Sequence, residues 1–186
     1  MDYRQLGRTD LNVSAIGLGT MTWGEQNTQD EAFAQIEYAK NAGINFIDTA
    51  EMYPVPPKAE TYASTERYIG NWFKTRGDRA DWILASKIAG PGNGIDYIRD
   101  GQLKHNRNHI VQALDASLER LQPTGSTSTS CIGQSAAPTF SGNWATSTTP
   151  MKTLPPSKKP SKPWTNKSGP AKFAISACPT KHPGPP

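Results

Sequence analysis

Three side chains that could move a proton together sit near the ends of apolar segments. Asp48 falls within the segment 44–49, Lys87 lies near the end of 82–88, and Tyr53 follows Asp48 by five residues. A third apolar stretch, 16–20, ends in Gly19-Thr20. In parallel α/β folds the working residues gather at the carboxyl ends of strands. An acid, a lysine and a tyrosine converging on that edge make a proton-donor set. A free tyrosine, with a pKa of about 10, is a poor acid at neutral pH. A neighbouring ammonium favours the phenolate, and a carboxylate keeps the lysine charged and aimed. Each residue alone has a plainer reading: Asp48 capping a loop, Lys87 in solvent, Tyr53 packing. Three of them at equivalent strand ends favour the chemical one.

The elements that must position them follow from the pattern of apolar residues. Residues 3–6 and 11–15, joined by Gly-Arg-Thr-Asp, predict a short β-hairpin. Strands are then expected at 16–20, 44–49 and 82–88, each followed by a helix. The first helix, 28–42, has Thr28 as cap, Asp30 and Glu31 in its first turn and Gly43 at its end. Its apolar side is Phe33, Ile36 and Ala39. The second, 64–75, has Ser64 as its expected cap. The third, 108–121, presents Ile110, Leu114, Leu118 and Leu121 on one face. Strands alternating with helices imply a parallel sheet with right-handed crossovers. Three such units are present before the pattern stops.

The stretches GLGTMTWG (17–24), GINFIDTAEMYP (43–54) and ILASKIAG (83–90) resemble the aldo-keto reductases. The loop MYPVPPKAET with TERYIGNW after it is similar to a bacterial, Tas-like branch of that family. The resemblance covers residues 1–122. It implies a (β/α)8 TIM barrel with an N-terminal hairpin, using NADPH to reduce small carbonyl compounds. By position it makes Tyr53 the proton donor, with Lys87 tuning it and Asp48 orienting Lys87. Gly19, Thr20, Met21 and Asp48 would lie near the nicotinamide, and Trp23 would wall the substrate pocket. Gly17-x-Gly19 has Thr22 where a dinucleotide fingerprint needs a third glycine, in keeping with this non-Rossmann reading.

Charge divides the chain at Gln122/Pro123. Residues 1–122 hold all 16 acidic side chains and thirteen of the 20 Lys and Arg, a net −3. Residues 123–186 have no Asp, Glu, Arg or Tyr and seven Lys, a net +7, with twelve of the 16 prolines and both cysteines. Such a segment buries too little apolar surface to offset its ordering entropy, and it is expected to be a disordered tail. The overall pI near 9.1 therefore describes neither part. No apolar run approaches the roughly 18 residues that span a bilayer. With no secretory h-region and two cysteines, a soluble cytoplasmic protein is the expectation.

The tail also reads as coding sequence in the wrong phase. Gln122 to Ser126 can be written CAA CCG ACT GGG TCG, and one restored G after the first CA turns it into Gln-Thr-Asp-Trp-Val. Continued in that phase, the next residues permit DLYLLHWP, the fourth strand and histidine expected by the resemblance. Cys131-Ile132 allows only His or Tyr at that place. Met151-Lys152 forces Glu, Trp164-Thr165 forces Asp and Trp144-Ala145 forces Gly, and the later text regains a strand, RYIGVSN. A one-base deletion near codon 122 is therefore the expectation.

A closed barrel of this kind needs eight units and typically about 250 residues. Three units leave the third strand as an unpaired parallel edge, which predicts poor solubility. The resemblance also expects the Ser-Asn pair of RYIGVSN to hold the carboxamide; without it, the histidine and the half that would grip the cofactor phosphates, no turnover is expected of the chain as written. Rival uses of the tail are a nucleic-acid or acidic-partner module built on its lysines, or a polyproline ligand for SH3-like domains at 154–163. The first is weakened by the absence of Arg and the second by the prolines' origin in the shifted phase, so no nucleic-acid partner is expected. His105 and His109 have no third ligand nearby, so no metal is expected. Cys131 and Cys178 would be free thiols.

Overall fold

A computed structural model describes residues 1–91, 95–121, 131–136 and 174–175. The chain opens with the expected hairpin, β1 (Tyr3–Gln5) antiparallel to β2 (Asn12–Ser14). Gly7 takes a φ of 58° in its turn, a conformation that glycine adopts without steric cost. Asn45 ties the hairpin to the sheet: its Oδ1 accepts from Ser14 N at 2.8 Å and its Nδ2 donates to Asn12 O at 2.9 Å. The hairpin thus lies at the amino end of the strand that follows Asn45, opposite the end carrying Asp48.

β3 (Leu18–Gly19) is shorter than the five residues expected, and Ile16 is 60% exposed. The reason is local. Ser14 Oγ donates to Ile16 O at 2.7 Å, holding the chain in the exit from the hairpin before β3 can begin. The first helix, α1 (Gln29–Asn41), follows its signals: Thr28 and Glu31 form a reciprocal capping box, and Gly43 beyond its end has a φ of 82°. Ala32, Ile36 and Ala39 are buried, and Phe33 meets Trp72 edge-on at 5.5 Å.

β4 (Phe46–Asp48) leads to α2 (Ser64–Arg76). Here the expected Ser64 cap is corrected. Ala63, at φ 59°, occupies the cap position with no side-chain bond, and Ser64 is the first helical residue. A turn closed by Ser64 N donating to Thr61 O places Ser64 one step too late to cap. Its Cβ packs instead against Gly24, where an added Cβ would come within 2.6 Å.

β5 (Ile83–Ala89) is followed by α3 (Arg107–Leu121). The buried stripe of α3 is Ala113, Ser117 and Leu121, with Ile110, Leu114 and Leu118 only half-buried. The apolar face expected from the pattern is therefore rotated. The shift follows from close packing on α2: a Cβ on Gly70 would lie 2.0 Å from Arg120 O. Small residues let the two helices approach, and the leucines move to the flank. Glu66 on α2 is fully buried, pairs with Arg120 Nε at 2.7 Å and accepts from Ser86 Oγ of β5.

Strands β3, β4, β5, β6 (Cys131–Ala136) and β7 (Ala174–Ile175) form one sheet in that order, every pair parallel. The expectation of an unpaired edge at β5 is overturned. β6 pairs with it from Leu84↔Cys131 to Ala89↔Ala136. Parallel pairing is made by main-chain groups that every residue but proline offers in full, so residues 131–136, which include no proline, can supply it. What the sequence led us to expect of the other tail residues, including 154–163 and Cys178, lies outside the described residues. Strand order following chain order, with α1, α2 and α3 after the first three strands, is the winding of a (β/α)8 barrel begun and not closed. Ile47 and Leu84 join residues of the three helices, including Trp72, Phe73 and Leu121, in one core. By strand alternation Asp48, Ala85 and Lys87 project to the opposite face.

Candidate active site

Parallel register sets the site. Asp48, the last residue of β4, stands opposite Gly19 on one side and Ala85 on the other, and Lys87 lies two residues further along β5. Beyond Asp48 the chain stays on β5 for two more steps. Thr49 N donates to Ala85 O at 2.8 Å and Glu51 N to Lys87 O at 3.0 Å. A turn with Tyr53 N donating to Ala50 O at 3.1 Å then brings the tyrosine ring back over the lysine.

Lys87 Nζ uses all three of its donors. They reach Asp48 Oδ2 at 2.7 Å, Thr49 O at 2.8 Å and Tyr53 Oη at 3.3 Å. The ammonium also lies 4.7 Å from the centroid of the Tyr53 ring. Lys87 is largely enclosed, with 13% of its side chain exposed, whereas Asp48 keeps 40%. The three residues singled out from the sequence are thus brought together. The Thr49 carbonyl was not foreseen, because a main-chain acceptor leaves no mark in residue type.

The residues expected around them divide. Gly19 is exposed, with open space where a Cβ would be, and Met21 is half-buried with its carbonyl accepting from Val55 N at 2.8 Å. Thr20 is turned inward: it is 1% exposed and its Oγ1 donates to Asp48 O at 2.8 Å. Its hydroxyl holds the end of β4. Trp23, expected as a pocket wall, is 1% exposed within the helix-side core, and its Nε1 donates to Gln35 Oε1 of α1 at 2.9 Å. Thr65 Oγ1 donates to the Trp23 carbonyl at 2.7 Å, drawing the loop onto α2 and the indole away from the strand ends. His109 Nδ1 accepts from Lys104 N at 3.2 Å.

One charged pair beside the site had no sequence signal. Glu51, within the turn that carries Tyr53, has its side chain 1% exposed and pairs with Arg99 Nη1 at 2.7 Å. Burial pushes the Glu51 carboxyl above the usual carboxylate range, and Arg99 opposes that shift. Its partner lies in the segment after β5, too far along the chain for local pattern to connect the two.

A parallel sheet with its polar set at the strand ends defines a class, the barrel-type α/β proteins that work at the carboxyl edge of the sheet. Within that class the chain belongs to the aldo/keto reductase family, whose family model matches residues 15–124. It is 50% identical over 123 residues to "Protein tas" of Escherichia coli (strain K12), covering 66% of this chain and 35% of that one. It is 39% identical over 127 residues to "Uncharacterized oxidoreductase YrpG" of Bacillus subtilis (strain 168), covering 66% and 37%. A solved aldo-keto reductase structure from Pseudomonas aeruginosa superposes with a TM-score of 0.52 at 27% identity, covering 71% of this chain and 45% of the other. The chain therefore matches little more than a third of the length of these curated relatives. No described helix is long and apolar enough to cross a membrane.

Proposed function

We propose that residues 1–122 are the first part of an NADPH-dependent oxidoreductase that reduces small carbonyl compounds. In this reading Tyr53 donates the proton, with Lys87 and Asp48 behind it. The observation that carries it is the Lys87 ammonium held between Asp48, Thr49 O and the Tyr53 hydroxyl. The residues fit the nicotinamide end of the cofactor. Gly19 has no atom within 4 Å of its Cβ position, and the partly exposed Asp48 pairs with it at the open edge beside Lys87. When bound, the nicotinamide supplies the hydride. Tyr53 Oη gives its proton to the carbonyl oxygen as that oxygen gains charge, and the ammonium stabilises the phenolate left behind. Asp48 and the Thr49 carbonyl keep the ammonium from turning away. Thr20, through its bond to Asp48 O, steadies the strand end that aims the carboxylate.

We further propose that residues 123–186 are read in a shifted frame and that the chain as written does not turn over carbonyls. The family match ends at residue 124, within two residues of the change in composition at Gln122/Pro123. The test uses two proteins, the 186-residue chain and the product of the same DNA with one G restored at codon 122. The restored product oxidises NADPH in the presence of an aldehyde, and Tyr53→Phe lowers its kcat by about 10²–10⁴-fold, the usual worth of a general acid. The 186-residue chain gives no rate. A robust rate from it, or an unaltered rate in the restored Tyr53→Phe protein, overturns the corresponding half of the proposal. Sequencing the DNA across codons 118–126 decides whether the lesion belongs to the gene.

A further inference from the structure

Tyr53 reaches Lys87 only because the turn 49–53 is held down, and the hydrogen bonds of the turn itself are few. Beyond the ladder to β5, its main chain is closed by Tyr53 N donating to Ala50 O. The stronger restraint comes from the segment after β5. Ile95, Ile98 and Leu103 form a buried cluster with Ala50, Met52 and Ala89, and Tyr53 packs against its side. Glu51 stands between two members of that cluster in sequence, with its carboxylate inside the protein. A carboxylate there demands a counter-charge. Arg99 supplies it, with Nη1 2.7 Å from Glu51 Oε1. The other end of the same guanidinium, Nη2, reaches Ala89 O at 3.4 Å, two residues beyond Lys87 on β5. One arginine therefore spans both chains that must meet for Tyr53 to touch Lys87.

The backbone carrying Arg99 indicates what holds it. Arg99 has a φ of 48° and Asp100 a φ of 53°, consecutive left-handed residues that are not glycine. Such conformations persist where surrounding contacts over-determine them. Here those contacts include the buried ion pair, with Gln102 N donating to Arg99 O at 2.9 Å and Gly101 N donating to Ile98 O at 3.1 Å. The other charged groups acting on Glu51 are Glu66 and Arg120, which are satisfied by each other at 2.7 Å, so Arg99 is the partner Glu51 depends on.

We propose that Glu51 and Arg99 are positioning residues for the reaction assigned above: they clamp the turn 49–53 to the end of β5 and so set the contact between Tyr53 and Lys87. The clamp's role rests on that reading of the site, but its geometry can be tested without turnover. The full 186-residue chain is labelled with meta-fluorotyrosine, and the Tyr53 signal among six tyrosines is assigned by its loss in Tyr53→Phe. In the parent chain, Lys87→Met displaces the Tyr53 fluorine signal, because an ammonium in contact with the phenol is removed. In the Arg99→Met background the same Lys87→Met change leaves the Tyr53 signal where it was, because the contact is already gone. Arg99→Lys, which keeps the charge opposite Glu51, retains the displacement. A full displacement in Arg99→Met, with the Tyr3 and Tyr68 signals at their parent positions, overturns the proposal. Where Arg99→Met also moves those two signals, Glu51→Gln, which keeps the side chain's shape, takes its place and the same two outcomes decide. Failure of the restored enzyme to reduce aldehydes would leave this result standing, so the two proposals fail separately.

Discussion

Removing Arg120 tests how the helices are held to the sheet. Its Nε lies 2.7 Å from Glu66 Oε2, with 15% of the arginine side chain and none of the glutamate exposed. At an effective dielectric of about 20 this separation corresponds to roughly 6 kcal/mol of attraction. Several kcal/mol of desolvation per ion offset it, so the intact pair contributes little net. Arg120→Met is different, because it leaves Glu66 buried without its counter-charge, a change that costs about 3–5 kcal/mol in comparable cases. Ser86 Oγ still donates to that carboxylate, which keeps the expected destabilisation toward the lower part of that range, about 3–4 kcal/mol.

Urea unfolding of the full chain, followed by tryptophan fluorescence, reads this directly, since Trp72 lies on α2 in the core that Leu121 completes. With a slope of about 2 kcal/mol/M, the midpoint falls by roughly 1.5–2 M. Adding Glu66→Gln, which removes the stranded charge and keeps an acceptor for Ser86, recovers most of the loss. A single variant within about 1 kcal/mol of the parent, or a double variant no better than the single, refutes the view that a stranded charge is the cost.

Two further outcomes follow from burial and close packing. Because burial raises the Glu51 carboxyl, the native state holds its proton more tightly than the unfolded chain. The contribution of this carboxyl to stability is then fully present below the usual carboxylate range and is lost as pH rises through the native value. Across that interval the unfolding midpoint of the parent falls relative to that of Glu51→Gln; a pH-independent difference between the two excludes Glu51 as a source of pH dependence. Gly70→Ala forces a Cβ to within 2.0 Å of Arg120 O, a main-chain atom that cannot move aside cheaply, and costs about 3 kcal/mol. Gly19→Ala, with open space at its Cβ, changes the midpoint by less than about 0.5 kcal/mol equivalent; equal losses in the two variants would refute the packing argument.

The parts of this molecule that were legible in its sequence are those written locally. Thr28 and Glu31 sit three residues apart and form the box that spacing implies. Asp48, Tyr53 and Lys87 could be brought together on paper because strand ends in a parallel sheet share one edge. What the pattern leaves unwritten has a common cause. Trp23 is aromatic and close to the site in sequence, but Gln35 and Thr65 draw it into the core. Glu51 and Arg99 are charged residues that pattern places on the surface, and only tertiary contact turns them into a buried pair. Ser64 missed its role as a cap by a single residue, because the left-handed Ala63 before it occupies that position.

The strand that pairs with β5 bears on the shifted-frame proposal in a specific way. β6 meets β5 through six consecutive partners, Leu84↔Cys131 to Ala89↔Ala136, at the place where the resemblance expects a fourth strand. Parallel pairing draws on N–H and C=O groups that both reading phases encode here, so a strand can form from a segment whose side chains were never selected for it. Chemistry is less tolerant. The register sets Gln134 opposite Lys87, whereas the restored phase would write a histidine at Cys131-Ile132, and a proton-transfer site depends on residue type as well as on backbone. A chain with a shifted tail can thus keep its sheet edge covered while lacking the group its site requires. Folding of the 186-residue product together with a complete lack of turnover is the combination that this separation of backbone from side-chain demands predicts.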